Sequence, residues 1–208
     1  MSPLLIALLG VMLLPLFVAT WRTSLAGLSC QGFLMAWIAY RMAPPVGASD
    51  WLTMVDLVLV RGLWAPFALY GVLRANKAPS RNDVIPPNLL SWATALVMVM
   101  VAFSFAEVLV PESGQQQTLV AVATSGVLLG FLVLATQSGP FSQMIGVLRL
   151  ENGIALFELG GEHHHEAAFL RVGQIAVVVL GIALYRRYLA MLSASAPAID
   201  GAPESPTL

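Results

Sequence analysis

Seven apolar stretches, each close to the 17 to 25 residues that a helix needs to cross about 30 Å of hydrocarbon, set the terms for any fold this chain can adopt. They are Pro3 to Trp21, Ser24 to Tyr40, Trp51 to Leu73, Leu89 to Val110, Thr118 to Gln137, Phe141 to Leu159 and Ala167 to Tyr185. Turn-forming residues divide them: Pro44, Pro45 and Gly47 after the second, Pro86 and Pro87 before the fourth, Pro111 after it, and Ser138, Gly139 and Pro140 between the fifth and sixth. The first stretch has no basic leader and exceeds the apolar core of about 7 to 15 residues found in secretory signals, so it reads as a retained helix. The expectation is an all-α, polytopic membrane protein of about seven transmembrane helices. Residues 1–192 form one helical domain, and residues 193–208, rich in Pro, Ala and Ser, form a disordered tail. The competitor is a six-helix chain in which Arg22 and Thr23 do not mark a turn.

Composition excludes several classes of function. Hydrophobic residues make up 58% of the 208 and charged residues only 10%, against roughly 25% charged in a soluble domain. A net charge of −1 with no basic patch excludes nucleic acid as a partner. Cys30 is the only cysteine, so the chain forms no internal disulfide and offers no thiolate set for an iron-sulfur cluster. Neither a nucleophile with an adjacent base, a glycine-rich phosphate loop nor a zinc motif occurs. His163, His164 and His165 are consecutive and therefore splay apart, which reads as a solvated loop rather than a metal site. The chain is not an enzyme by itself, and no cofactor is expected within it.

Orientation follows from the cations, because short cytoplasmic loops carry the excess of Lys and Arg. Arg74, Lys77 and Arg81 lie in the third loop, and Arg186 and Arg187 follow the last span. Seven spans then put the amino terminus outside and the carboxyl terminus in the cytoplasm. Arg22 falls inside, while Arg41, Glu112 and the loop Gly160 to Glu166 fall outside.

The chemistry is concentrated in charges placed within the spans. Arg149, Glu151 and Asn152 lie near the middle of the sixth. One ionised group at the centre of an isolated helix costs about 2.5 kcal/mol or more, so these groups must face protein or water. Glu151 is the candidate proton-exchanging carboxylate, because burial and a neighbouring Arg pull its protonation in opposite directions. Arg149, two residues away, points to nearly the opposite side and is a poor partner for it. It must find a carboxylate, a carbonyl or water elsewhere.

Arg61 is the charge near the middle of the third span, with Asp56 five residues before it. That spacing separates them by over about a hundred degrees on an α-helix, so only the long Arg stem could join them. Pro66 should bend this helix and free a carbonyl. Glu158 lies two turns beyond Glu151, where it either extends a path or snorkels. Gln174 and Arg171 in the last span could face Glu151 or Glu158. Gly153 permits close approach by another helix. The Gly126 and Gly130 step reads more readily as chance than as a packing motif.

The segment SQMIGVLRLENGIALFEL, followed by a helix closing in Tyr185, Arg186 and Arg187, resembles the hydrogenase-4 component E family. SLAGLSCQGF is similar to that family's second segment, Arg61 with Pro66 to a basic residue and proline in its third, and Leu150 to Gly153 is the most specific match. The last three helices also look like the K subunit of respiratory complex I. The resemblance implies a small non-catalytic subunit in the cytoplasmic membrane of a bacterium or archaeon. Antiporter-like subunits would be its partners, with a nickel-iron centre and iron-sulfur clusters in other chains. By the same resemblance Glu151 belongs to a redox-coupled proton or sodium path; the placement of the other polar residues gives the expectation that Arg61 and Arg149 set its charge balance and that Asp56, Glu158 and Gln174 support a hydrated route. The alternative is a structural scaffold whose buried charges lock neighbouring subunits together. The family carries an acidic group where this chain has Gln174, and an apolar residue where it has Arg149.

Overall fold

The computed structural model describes residues 2–17, 20–75, 89–111, 114–137, 139–160 and 168–195. All elements formed by these residues are helical. In chain order they are α1 (Ser2–Phe17), α2 (Trp21–Met42), α3 (Ala48–Val55), a π-helical segment π1 (Asp56–Trp64), α4 (Ala65–Ala75), α5 (Leu89–Leu109), α6 (Gly114–Thr136), α7 (Pro140–Gly160) and α8 (Ala168–Ser195). The elements α3, π1 and α4 run on without a break and form one long rod.

Four helices are long and apolar enough to cross a membrane: Ala48–Arg74, Leu89–Leu109, Gly114–Thr136 and Arg171–Met191. Their outward faces carry large apolar side chains such as Phe67, Leu96, Val108 and Val177, as the helices of a membrane protein must. The other helices differ in kind. α1 has a shorter apolar stretch, Pro3–Leu14, while α2 and α7 hold the buried polar residues Gln31, Arg149 and Asn152.

α1 ends at Phe17 and α2 begins at Trp21, so Arg22 and Thr23, expected to form the first loop, lie inside α2. Thr20 caps α2 by accepting from the Thr23 amide, and α1 packs on α2. Leu5, Leu8 and Met12 share a core with Met35, Ile38 and Ala39, which makes the two helices an antiparallel hairpin. Trp21, assigned from sequence to the first span, opens the second helix. At the other end of the chain, α8 continues past Arg186 and Arg187 to Ser195. Leu, Ala and Met after that pair are strong helix formers, so the helix outlasts its apolar stretch and takes in residues 193–195 of the expected tail. Residues 196–208, the three histidines, Glu112, Lys77, Arg81, Pro86 and Pro87 lie outside the described residues.

Glycines determine which helices touch. α6 packs on α7 through a seam in which a Cβ on Gly130 would sit 2.9 Å from the Leu150 amide nitrogen, and one on Gly153 would sit 2.7 Å from that of Val127. Gly126 lies in the same seam, against Gly153 Cα and Met12. The step at Gly126 and Gly130 is therefore a packing motif, and the chance reading is corrected. Small residues act here because lipid gives helices no apolar reason to associate, so close backbone approach supplies the attraction. The expected role of Gly153 is met in α6.

Two cores flank the middle of the bundle. One joins Leu25 and Leu28 of α2 to Phe141, Met144 and Leu148 of α7. The other joins Met35 and Ile38 to Ala155 and Leu156. The order is the same along both helices, so α2 and α7 run parallel. α8 packs along α3, π1 and α4, and its Val178 and Ile182 join the first of these cores.

Gly153→Ala should lower the melting temperature of the detergent-solubilised protein by an amount equivalent to about 1 to 3 kcal/mol, as overpacked cores do. Gly173→Ala, where a Cβ meets nothing within 4 Å, should be neutral or stabilising by up to about 1 kcal/mol. Equal effects in thermal melts would contradict the seam.

Candidate functional site

The central feature is the wide turn of π1. Asp50 fixes the start of its rod, accepting from the Gly47 amide at 2.9 Å and the Val46 amide at 3.1 Å. Eight residues later the register changes, and the Ala65 amide bonds the Val60 carbonyl five positions back. The widening ends immediately before Pro66, which has no N–H to offer the carbonyl of Gly62 and whose ring crowds it. A π segment is a recognised accommodation of such a defect and recurs at functional sites. The bend expected from Pro66 thus takes the form of a nine-residue change of helix type.

That change overturns the reading of Asp56 and Arg61 as residues on different faces. In a π turn, positions five apart come toward one face, and Arg61 Nε donates to Asp56 Oδ2 at 2.8 Å. The second arm of the guanidinium reaches the neighbouring helix, with Nη1 donating to Asn152 Oδ1 at 3.0 Å. Asn152 in turn donates through Nδ2 to Gln31 Oε1 at 3.2 Å. Three helices are thereby joined by one run of polar contacts: π1, α7 and α2.

Gln31 was not among the residues singled out from sequence. An amide inside an apolar span is the signal that marks it, and its neighbour Gly32 explains its position. A Cβ on Gly32 would lie 2.6 Å from Gly62 Cα, so α2 and π1 meet backbone to backbone. The contact brings Gln31 to Asn152.

The run is only partly satisfied. Asp56 Oδ1 and Gln31 Nε2 are buried with no hydrogen-bond partner among the described residues. Buried polar atoms of this kind are normally paired with protein or ordered water, and a polar interior with several such atoms is where buried water is held.

Glu151 follows Arg149 on the helix and precedes Asn152, half-buried, with Oε2 unpartnered among the described residues. It is not in the bonded run that Asp56, Arg61, Asn152 and Gln31 form. Glu151 also lines a groove of about 390 Å³ between α7 and α8, together with Met144, Leu148, Val178 and Tyr185. Arg149 faces away from it, as the spacing predicts, and is only 4% exposed. Its Nε and Nη2 have no partner among the described residues.

Glu158, Arg171 and Gln174 form a separate cluster. Arg171 Nη1 donates to Glu158 Oε2 at 2.9 Å and to Gln174 Oε1 at 3.2 Å, and Gln174 Nε2 donates to Glu158 Oε1 at 3.0 Å. Glu158 is thus tied to α8 instead of snorkelling, and both α8 residues choose it over Glu151. Glu107 is exposed on α5. No group of three or more potential metal ligands occurs among the described residues.

No family model, curated protein or solved structure matches the chain.

Arg61→Met should destabilise the protein by about 3 to 5 kcal/mol, because it leaves Asp56 as an uncompensated buried charge. The double change Arg61→Met with Asp56→Leu should recover most of that loss. Chemical unfolding in detergent micelles checks both, and a double variant no better than the single one would refute the pairing.

Proposed function

We propose that this chain is a non-catalytic membrane-arm subunit of a complex-I-like, hydrogenase-4-type oxidoreductase assembly, in which Glu151 exchanges a proton during redox-coupled ion translocation. The observation that carries the reading is the position of Glu151. It is a carboxylate with an unpartnered oxygen, set beside an ion pair and a polar run that cross the centre of three packed helices. Polar groups so placed within a span are expensive to keep and mark ion or proton pathways. Water bound at Asp56 Oδ1 and Gln31 Nε2 would extend the run toward Glu151, and Glu158 with Gln174 would continue it along α8. The likeness of Leu150 to Gly153 to the hydrogenase-4 component E family gives the assembly its type. Antiporter-like chains are then its neighbours, and the redox centres reside in other subunits.

Seven crossings, with the amino terminus outside and the carboxyl terminus cytoplasmic, belong to the same proposal. Parallel α2 and α7 support it, since in a seven-span chain they are the second and sixth crossings and must run the same way. A reporter enzyme active only outside the membrane should be active when inserted after Gly160 and inactive when fused after Arg187. The reverse pattern, or activity at both sites, would refute the orientation.

The role of Glu151 is tested in membranes containing the whole assembly. Glu151→Gln keeps the shape and removes the titrating group, so the complex should co-purify intact while dye-reported proton uptake into inverted vesicles falls at least tenfold. Undiminished uptake by a correctly assembled variant would remove the role. Loss of assembly in both Glu151→Gln and Arg61→Lys, before any change in uptake by the remaining complex, would instead establish the scaffold reading.

A further inference from the structure

The groove between α7 and α8 has the walls of a ligand site as well as a charge. Because α8 packs along the α3, π1 and α4 rod, it leaves a space of about 390 Å³ beside α7. That volume falls within the range of about 300 to 1,000 Å³ typical of small-molecule pockets. The lining is apolar along Met144, Val147, Leu148, Val178 and Leu184, and three residues break that pattern: Glu151, Tyr185 and Tyr188.

Together these three define a ligand class. A carboxylate near the middle of a span attracts a positive charge, and no side chain of this chain makes an ion pair with Glu151 among the described residues. Tyrosine rings attract cations over their faces, and aromatic side chains are a common way to recognise organic ammonium ions. Metal ions and inorganic cations would find no oxygen cage among the apolar walls. An organic cation with an apolar body satisfies both parts of the groove at once.

We propose that the α7–α8 groove is a binding site for lipophilic organic cations, with the ammonium head against Glu151 and the tyrosines and the apolar body along Met144, Leu148 and Val178. Gly181 forms part of the opposite wall, and a Cβ there meets nothing within 4 Å. A larger side chain at this position enters the groove without displacing backbone. The site stands on the shape and charge of the groove and does not depend on proton exchange by Glu151.

The test uses the full chain in lipid nanodiscs and a fluorescent alkyl-trimethylammonium probe, with empty nanodiscs subtracting partition into lipid. Saturable binding is expected, with a neutral tert-butyl isostere of the same probe at least tenfold weaker. Glu151→Gln should weaken the cation at least tenfold and leave the isostere unchanged. Gly181→Leu should weaken both, with helical circular dichroism and elution profile preserved. Binding confined to lipid, equal affinity for cation and isostere, or an unaltered Kd in either variant would overturn the site. Because the readout is equilibrium binding, failure of the translocation experiment leaves this result standing, and the converse also holds.

Discussion

The guanidinium of Arg61 is the interaction on which the middle of the bundle depends. A charge in a low-dielectric interior must be met on more than one side, and Arg61 uses one nitrogen for Asp56 on its own rod and another for Asn152 on α7. The fork geometry of arginine makes this possible, since its donors leave in fixed, diverging directions. A lysine would supply the charge but not the two directed bonds. The rest follows from this demand: α7 must come close enough for Asn152 to reach, and α2 close enough for Gln31 to reach Asn152. Glycines set the spacing around them, with Gly32 against Gly62 between α2 and π1 and Gly153 against Gly126 between α7 and α6.

Packing and polarity are therefore parts of one arrangement. The seam between α6 and α7 places Gly153 against Gly126 and Val127, and on an α-helix its neighbour Asn152 then faces another direction, where α2 and π1 lie. Residues 145, 149, 152 and 156 make a buried stripe on α7 distinct from the glycine stripe at 146 and 153. One helix thus serves three neighbours with two different kinds of contact. Shape complementarity holds α6, while hydrogen bonds hold α2 and π1. Glu151 lies on a third side, toward the groove and α8.

Much of this was legible in the chain itself. Apolar length and Pro or Gly punctuation located the helices, because hydrophobic thickness leaves few alternatives. The opposed directions of Arg149 and Glu151 followed from a period of about 3.6 residues per turn. The same period misled at Asp56 and Arg61, where the π register replaces it, and no local feature except Pro66 announces the change. Gln31 was missed because a single amide gains meaning only from the helix it meets, 121 positions away in sequence. The pairing of Glu158 with Arg171 depends likewise on how α8 is seated. Seven spans, the assembly and its chemistry are readings for which the fold supplies a compatible frame.

The Asp56 and Arg61 pair also bears on how the chain enters its membrane. Asn152 lies 91 residues beyond Arg61, so the ribosome presents the α3, π1 and α4 rod well before Asn152 exists. Opposite charges on one rod, joined at 2.8 Å, cancel within the segment itself. The insertion machinery thus meets a net-neutral helix at that stage of synthesis, and the cross-links to Asn152 and Gln31 can be added later by folding within the bilayer.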